Sequence, residues 1–133
     1  MSDAETTAWG APWSAPFWEA SREQRLVLQW CTSCNVVIHY PRPVCPTCMG
    51  DALEWRPAAG NGEVHSHTVV HKGRHPTLTA PYVVALVTLV EGARMMTNIV
   101  GCEPSEVKVG MAVRIRWEPQ DDGRHLPLFE PTT

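Results

Sequence analysis

Two Cys-x-x-Cys pairs, ten residues apart, constrain the fold of this chain more than any other feature of its sequence. Each pair favours a tight turn that directs two sulfur atoms and nearby backbone N–H groups toward one point. The ten residues between the pairs suffice for a hairpin that brings the two turns face to face. Four thiolates complete the tetrahedral coordination of Zn²⁺ and leave no open position for water, so the predicted site is structural in its chemistry. The predicted ligands are Cys31, Cys34, Cys45 and Cys48.

Two other interpretations of these cysteines stay open at this point. Iron can replace zinc in a rubredoxin-like site, and two separate CxxC dithiols can serve redox chemistry. Residues 1–13, which we expect to form a flexible tail, lack the basic and apolar regions of a secretory signal. Five cysteines also leave one over from any pairing, so the CxxC pairs indicate metal ligands before disulfides, and we expect a cytoplasmic protein. No apolar run reaches the roughly 20 residues that span a bilayer, so we expect no membrane association.

The first part of the chain predicts a short helix followed by a small metal-binding sheet. The helix is expected to begin at Ser14 and to end near Gln24. It is too short to be stable alone, so Phe17 or Trp18 must pack against other residues. The helix and the strands around the cysteine pairs together form a predicted domain over residues 14–57. The predicted strands of this domain are 25–30, 36–40 and 53–56.

The rest of the chain, residues 62–131, predicts a second domain built from strands. The segment Pro-Ala-Ala-Gly-Asn-Gly at residues 57–62 is the clearest boundary in the sequence. Five strand-like segments follow it, which fits a small closed or nearly closed barrel, and the OB-fold is one such barrel. The predicted fold class is therefore mainly β: a short N-terminal helix and a zinc ribbon, followed by a five-stranded barrel. The predicted barrel strands are 63–71, 82–90, 93–100, 111–118 and 126–129.

The strand at residues 82–90 is unusual because both of its faces are apolar. A five-stranded barrel has only one interior, so the second face of this strand requires a cover. We expect the N-terminal helix, the ribbon or another protein to supply it. The strand at residues 111–118 instead alternates apolar with charged or small side chains, which is typical of one buried and one solvated face.

The charge balance gives no electrostatic drive toward nucleic acid or anionic lipid. The formal net charge is −3, and four thiolates with one Zn²⁺ would bring it to about −5. From Asn61 onward, 7 Lys and Arg residues stand against 8 Asp and Glu, and the aromatic residues are only Tyr82, Trp117 and Phe129. Binding of single-stranded nucleic acid needs a basic groove and stacking aromatics. We therefore keep it as the alternative function.

Histidines and one cysteine in the second domain could also carry chemistry. His65, His67 and His71 have odd spacing on one predicted strand, which places them on one face. A second metal site or a general base is one interpretation, but a polar outer face is favoured because no carboxylate stands at ligand spacing. Cys102 could act as a nucleophile, although no neighbouring base indicates this, and a buried small side chain is the favoured interpretation.

A compact basic loop, Lys72-Gly73-Arg74-His75-Pro76, joins the first two barrel strands. Gly73 permits close approach of the backbone, so the loop could hold a phosphate or a nucleotide-like group. OB-fold loops at this place often line the ligand site. An ordinary exposed loop is an equally supported interpretation.

The order of these parts resembles a known family. Over about residues 14–131 the chain is similar to the thiolase-associated family with a rubredoxin-like zinc ribbon and an OB-fold, formerly a domain of unknown function. The cysteine set is the specific part of this resemblance, and the barrel motifs are individually weak. The matching motifs are Phe17-Trp18, Cys31-x-x-Cys34, Pro41-Arg42 and Cys45-Pro46-x-Cys48, then residues 81–87, 91–94, 110–113 and 127–129.

The resemblance implies a role in acyl-CoA metabolism. Members of the family accompany thiolases and lipid-transfer-type enzymes, including aldolases that cleave steroid CoA side chains. It therefore implies a non-catalytic accessory subunit of a thiolase-fold enzyme, with structural Zn²⁺ and with acyl-CoA as a candidate ligand. Lys72 and Arg74 become candidate contacts for CoA phosphates, and no catalytic residue is assigned. Asn35 and Met49 follow the cysteine pairs where Gly is common, and neither departure threatens metal binding.

An enzyme that acts alone on acyl-CoA is a third hypothesis, because the basic loop and the histidines leave room for it.

Overall fold

The computed structural model describes residues 12–75 and 77–132 of the 133-residue chain. The predicted flexible tail lies outside the described residues as far as residue 11, and Pro12–Ser14 form one turn of 3-10 helix. Contacts divide the chain into two compact units. The first consists of Met1–Ala59 with Pro119–Leu126, and the second of Gly60–Glu118 with Pro127–Thr133.

The single α-helix of the described chain, α1, is shorter than predicted. It spans Ala15–Ser21 and does not reach Gln24. The chain turns out of it through Gln24, which has a φ of +57°, so the backbone there cannot continue a right-handed helix. Phe17 is buried, and its ring lies 4.9 Å from the Trp18 ring and 5.8 Å from the His39 ring, centroid to centroid. The prediction that an aromatic residue anchors this helix is confirmed.

The first unit also holds a three-stranded antiparallel sheet in the order β2-β1-β3. The strands are β1 (Val27–Cys31), β2 (Val36–Ile38) and β3 (Leu53–Pro57). The central strand β1 is buried along most of its length, with Leu28 and Cys31 fully excluded from solvent. It carries the first metal-ligating candidate at its end, so the sheet positions the start of the first cysteine pair.

The second unit is a closed five-stranded barrel in the order β4-β5-β6-β8-β7, which confirms the predicted OB-fold. Its turns follow the sequence signals: β5 and β6 meet at a turn where Gly92 has a φ of +99°, a conformation that disfavours other residues. The strands are β4 (Asn61–Val70), β5 (Tyr82–Leu89), β6 (Arg94–Ile99), β7 (Ala112–Pro119) and β8 (His125–Pro131).

Alternation along β5 fixes which side chains form the barrel core. Every second residue from Val83 to Leu89 is at most 2% exposed, while the intervening side chains are half-buried. The other core positions come from the neighbouring strands and complete one closed interior. The largest fully buried ones are Val64, Met95, Val113 and Phe129.

The second apolar face of β5 is covered in part by the chain itself. The segment between β4 and β5 is tied to Asn98 on β6 through His75, and Asn98 is only 8% exposed. Asn98 pairs with Val84 across β5 and β6, so the covered end of the face is the end nearest this loop. This loop differs from the covers expected from the sequence, which were the N-terminal helix, the ribbon or another protein.

Among the described residues, no helix has the length and apolar character needed to cross a bilayer.

Candidate metal centre and basic loop

The structure brings the four cysteines of the two pairs together. Their sulfur atoms all lie within 4.8 Å of one another, and the Sγ atoms of Cys31 and Cys48 are 3.8 Å apart. A tetrahedral ion with Zn–S bonds of about 2.3 Å requires sulfur atoms about 3.8 Å apart, so the cluster fits zinc. Among residues 12–75 and 77–132, this is the single group of three or more His, Cys, Asp or Glu side chains suited to a metal.

Both cysteine pairs adopt the same backbone turn. The N–H of Asn35 donates to the carbonyl of Cys31, and the N–H of Met49 donates to the carbonyl of Cys45, each at 2.8 Å. Asn35 has a φ of +56° and Met49 a φ of +64°, so both residues take the left-handed conformation that glycine would adopt without strain. The two departures noted in the sequence therefore preserve the turn and the direction of the sulfur atoms.

The pKa values of two thiols in the cluster differ widely from each other. Backbone N–H groups of Cys48 and Thr47 lower the pKa of the Cys45 thiol to about 6. The side-chain hydrogen bond with Cys48, together with burial, raises the pKa of the Cys34 thiol to about 12. The raised pKa keeps the Cys34 thiol protonated at neutral pH, and a bound divalent cation would supply the positive charge that a thiolate at this position needs.

A buried glutamine holds the loop between the two pairs, and sequence reasoning missed it. Gln29 is 3% exposed, and its side-chain NH₂ donates to the carbonyl of Arg42 at 2.9 Å. Its side-chain oxygen accepts from the N–H of Arg42 at 2.8 Å. This pair of bonds satisfies both polar ends of a buried amide. The available signal was a polar residue inside the apolar run Leu26-Val27-Leu28-Gln29-Trp30.

The basic loop is held in place by the histidine within it. The N–H groups of Thr77 and Leu78 donate to Nδ1 of His75, each at 3.1 Å, so Nδ1 is the unprotonated nitrogen. Nε2 then donates to the Oδ1 of Asn98 at 2.6 Å. Asn98 donates in turn to the carbonyl of Val83 at 2.8 Å. The loop is therefore fixed against the barrel by a continuous polar chain.

Lys72 and Arg74, the candidate phosphate contacts, lie on this anchored loop. Both side chains are exposed. The Tyr82 hydroxyl donates to the carbonyl of Arg74 at 3.2 Å, which holds the backbone of Arg74 in place. The structure thus leaves two cations on a fixed backbone next to the outer face of β5.

The three histidines do not share a face as predicted. The β4–β5 register shifts between Val64 and Ser66, so His65 lies in a β-bulge and the alternation breaks there. His67 pairs with Ala85, whose side chain points into the barrel, while His71 follows the end of β4. Nδ1 of His67 is buried and has no hydrogen-bond partner among the described residues.

Cys102 is half-buried and not fully buried as expected. Partial burial, with the charges of Glu106 and Glu103, raises the pKa of its thiol. Those two effects keep it in the protonated, less nucleophilic form.

Both halves of the chain match families of known proteins. Residues 18–54 match the family described as "ChsH2, rubredoxin-like zinc ribbon domain", and residues 55–118 match "ChsH2, C-terminal OB-fold domain". A "DUF35 domain-containing scaffold protein" of Methanocaldococcus jannaschii is 38% identical over 100 residues, which cover 70% of each chain. The chain belongs to the DUF35 family. The four-cysteine cluster is thus the zinc ribbon of a DUF35 protein.

Two further relatives of this DUF35 chain carry names that refer to enzymes. A "probable enoyl-CoA hydratase alpha subunit" of Thermomonospora curvata is 44% identical over 116 residues, which are 86% of this chain and 36% of that protein. The chain therefore spans about a third of the length of that relative. The solved structure of an "Ltp2-ChsH2(DUF35) aldolase" has a chain that superimposes with a TM-score of 0.83 at 42% identity. That match covers 90% of this chain and 94% of the other.

Proposed function

We propose that this DUF35 chain is a non-catalytic accessory subunit of a thiolase-fold enzyme that processes acyl-CoA, either a thiolase or an aldolase acting on lipid or steroid side chains. The observation that carries the proposal is the match to one chain of the "Ltp2-ChsH2(DUF35) aldolase" over almost the full length of both chains. The scaffold description of the archaeal relative supports the same role. Cys31, Cys34, Cys45 and Cys48 are the proposed ligands of one structural Zn²⁺, which stabilises the ribbon of this subunit.

An open apolar face on the barrel supports a contribution to acyl-CoA binding. Val84 and Leu86 of β5 and Met96 of β6 line a shallow groove of about 210 Å³. Met96 is 59% exposed, and the hydroxyl-bearing Ser66 and Thr68 stand at the β4 side of the groove. Such a surface suits a chain that is apolar along its length and carries amide groups, because it offers both burial and hydroxyl contacts.

The basic loop lies at one end of the same face. Val84 lines the groove and pairs with Asn98, to which His75 of the loop is bonded. Lys72 and Arg74 therefore present two positive charges beside the groove, where they would contact the phosphates of a bound CoA. The proposed ligand has an anionic nucleotide end on the loop and an apolar end along β5.

Co-purification tests the subunit role. Tagged protein co-expressed with a thiolase-fold enzyme from the same genome is expected to elute with it as one hetero-oligomer in size-exclusion chromatography. If the chain elutes as a separate monodisperse species with every such enzyme tested, the proposal is contradicted.

Titration calorimetry with acetyl-CoA tests the ligand role separately, with the isolated chain or with the complex. Each exposed charge contributes about 1 kcal/mol, so Lys72→Ala and Arg74→Ala should each weaken binding about fivefold. Lys108→Ala, which removes an exposed lysine on another loop of the same unit, is the matched control and should leave the affinity unchanged. An equal loss of affinity in all three variants would contradict a specific role for the loop, because it would show that only the net charge of the protein matters.

A further inference from the structure

The four cysteine residues of the zinc ribbon differ in how far they are exposed to solvent. Cys31 and Cys45, the first cysteine of each pair, are 0% exposed. Cys34 is half-buried, and Cys48 is exposed. A reagent in solution therefore meets the second cysteine of each pair, and Cys48 first of all.

The buried first cysteine of each pair also accepts a backbone hydrogen bond at its sulfur atom. The N–H of Cys34 donates to Sγ of Cys31 at 3.4 Å, and the N–H of Thr47 donates to Sγ of Cys45 at 3.3 Å. These bonds withdraw electron density from the two buried sulfur atoms and lower their nucleophilicity. Among the described contacts, no backbone N–H is directed at Sγ of Cys48, so its lone pairs keep more of their reactivity.

A glycine leaves the approach to Cys48 open. A Cβ placed on Gly50 would lie 3.4 Å from Sγ of Cys48, and apart from the two neighbours of Gly50 in the chain no other described residue would come within 4 Å of it. The space beside this sulfur is thus free because residue 50 lacks a side chain. The backbone of Gly50 does not need glycine for conformational reasons, since its φ is not in the left-handed region.

We propose that Cys48 is a covalent modification site, at which the zinc ribbon reacts with α,β-unsaturated carbonyl compounds before any other of its cysteines does. The thiolate sulfur forms a bond to the β-carbon of the electrophile. The π electrons of the carbon–carbon double bond move to form an enolate, which then takes a proton from water. The product is a neutral thioether, which is a poorer ligand than a thiolate, so modification is coupled to loss of the metal and of the ribbon fold.

Peptide mapping after limited labelling tests this order. The zinc-loaded full chain carrying Cys102→Ser, which removes the remaining thiol, is treated with less than one equivalent of N-ethylmaleimide and analysed by mass spectrometry. We expect Cys48 to be labelled more than about tenfold over Cys31 and Cys45, because those two sulfur atoms are buried. Zinc release, followed with a chromogenic chelator, should rise in step with the label on Cys48.

Gly50→Ala provides a variant that keeps all four ligands. The added methyl group covers one side of Sγ of Cys48, so labelling and zinc release should slow about threefold. Ser33→Ala changes an exposed residue of the other pair and is the matched control, with no change expected. Labelling that begins at another cysteine, or equal rates in the Gly50→Ala and Ser33→Ala proteins at one zinc per chain, would overturn the proposal.

Discussion

Replacing Gln29 by Met tests whether one buried amide holds the ribbon together. Gln29 is 3% exposed and makes two hydrogen bonds, of 2.9 and 2.8 Å, with the backbone of Arg42. Each such bond contributes about 1 kcal/mol. Arg42 is an exposed residue, so water can reach its orphaned backbone groups and the larger cost of a buried unpaired group is avoided. The apolar Met side chain returns about 0.5 kcal/mol through burial.

The expected net loss from Gln29→Met is therefore about 1.5 kcal/mol in the free energy of unfolding, or about 5 °C in melting temperature. Because folding of the ribbon and metal binding are coupled, the apparent zinc affinity should fall about tenfold. Urea denaturation gives the first quantity, and competition with a chelator gives the second.

Thr32→Val is the matched control, since it removes one exposed side-chain bond to the carbonyl of Ala52. It should change stability by less than about 0.5 kcal/mol. A Gln29→Met protein that unfolds like the control would refute the reasoning. So would a stability loss without any change in zinc affinity, because it would separate the loop from the metal centre.

Three other changes in the first unit have predictable effects on its stability or folding. Removal of zinc with a chelator should abolish the β signal of the ribbon in circular dichroism, and added zinc should restore it. Burial lowers the pKa of His39 from 6.5 to about 4; the unfolded chain therefore binds a proton that the folded chain excludes, and stability should decline by up to about 3 kcal/mol as pH falls from 6.5 to 4. This decline should shrink in His39→Phe relative to wild type. Met49→Gly should stabilise the protein by about 0.5 kcal/mol, because it relieves a left-handed residue whose side chain is 69% exposed, whereas Asn35→Gly should have almost no effect.

Interactions between near neighbours along the chain made much of the fold predictable. The turn of each cysteine pair is closed by a bond between residues four apart, such as Met49 to Cys45, so the spacing alone indicates where the sulfur atoms point. Alternation divided β5 into two sets of side chains, because successive residues of a strand face opposite ways. Both sets are apolar, so only the structure shows which set is buried. The turn between β5 and β6 lies where the predicted strands 82–90 and 93–100 meet, and Gly92 takes a positive φ there.

Interactions between distant residues decided what the sequence could not. The bulge beside His65 separates histidines that simple alternation would align, and it exists because β5 pairs with β4 across it. His75 finds its acceptor on Asn98, 23 residues away, and Gln29 finds both of its partners on Arg42, 13 residues away. Nothing in the local sequence of either residue marks those partners.

The sequence by itself determined the metal-binding turns and the succession of short strands, because a few adjacent residues set each of them. Only the tertiary structure decided which cysteine residues of the ribbon are buried and how the basic loop is fixed to the barrel. Solvent exposure and long-range hydrogen bonds depend on residues that meet only after the chain has folded.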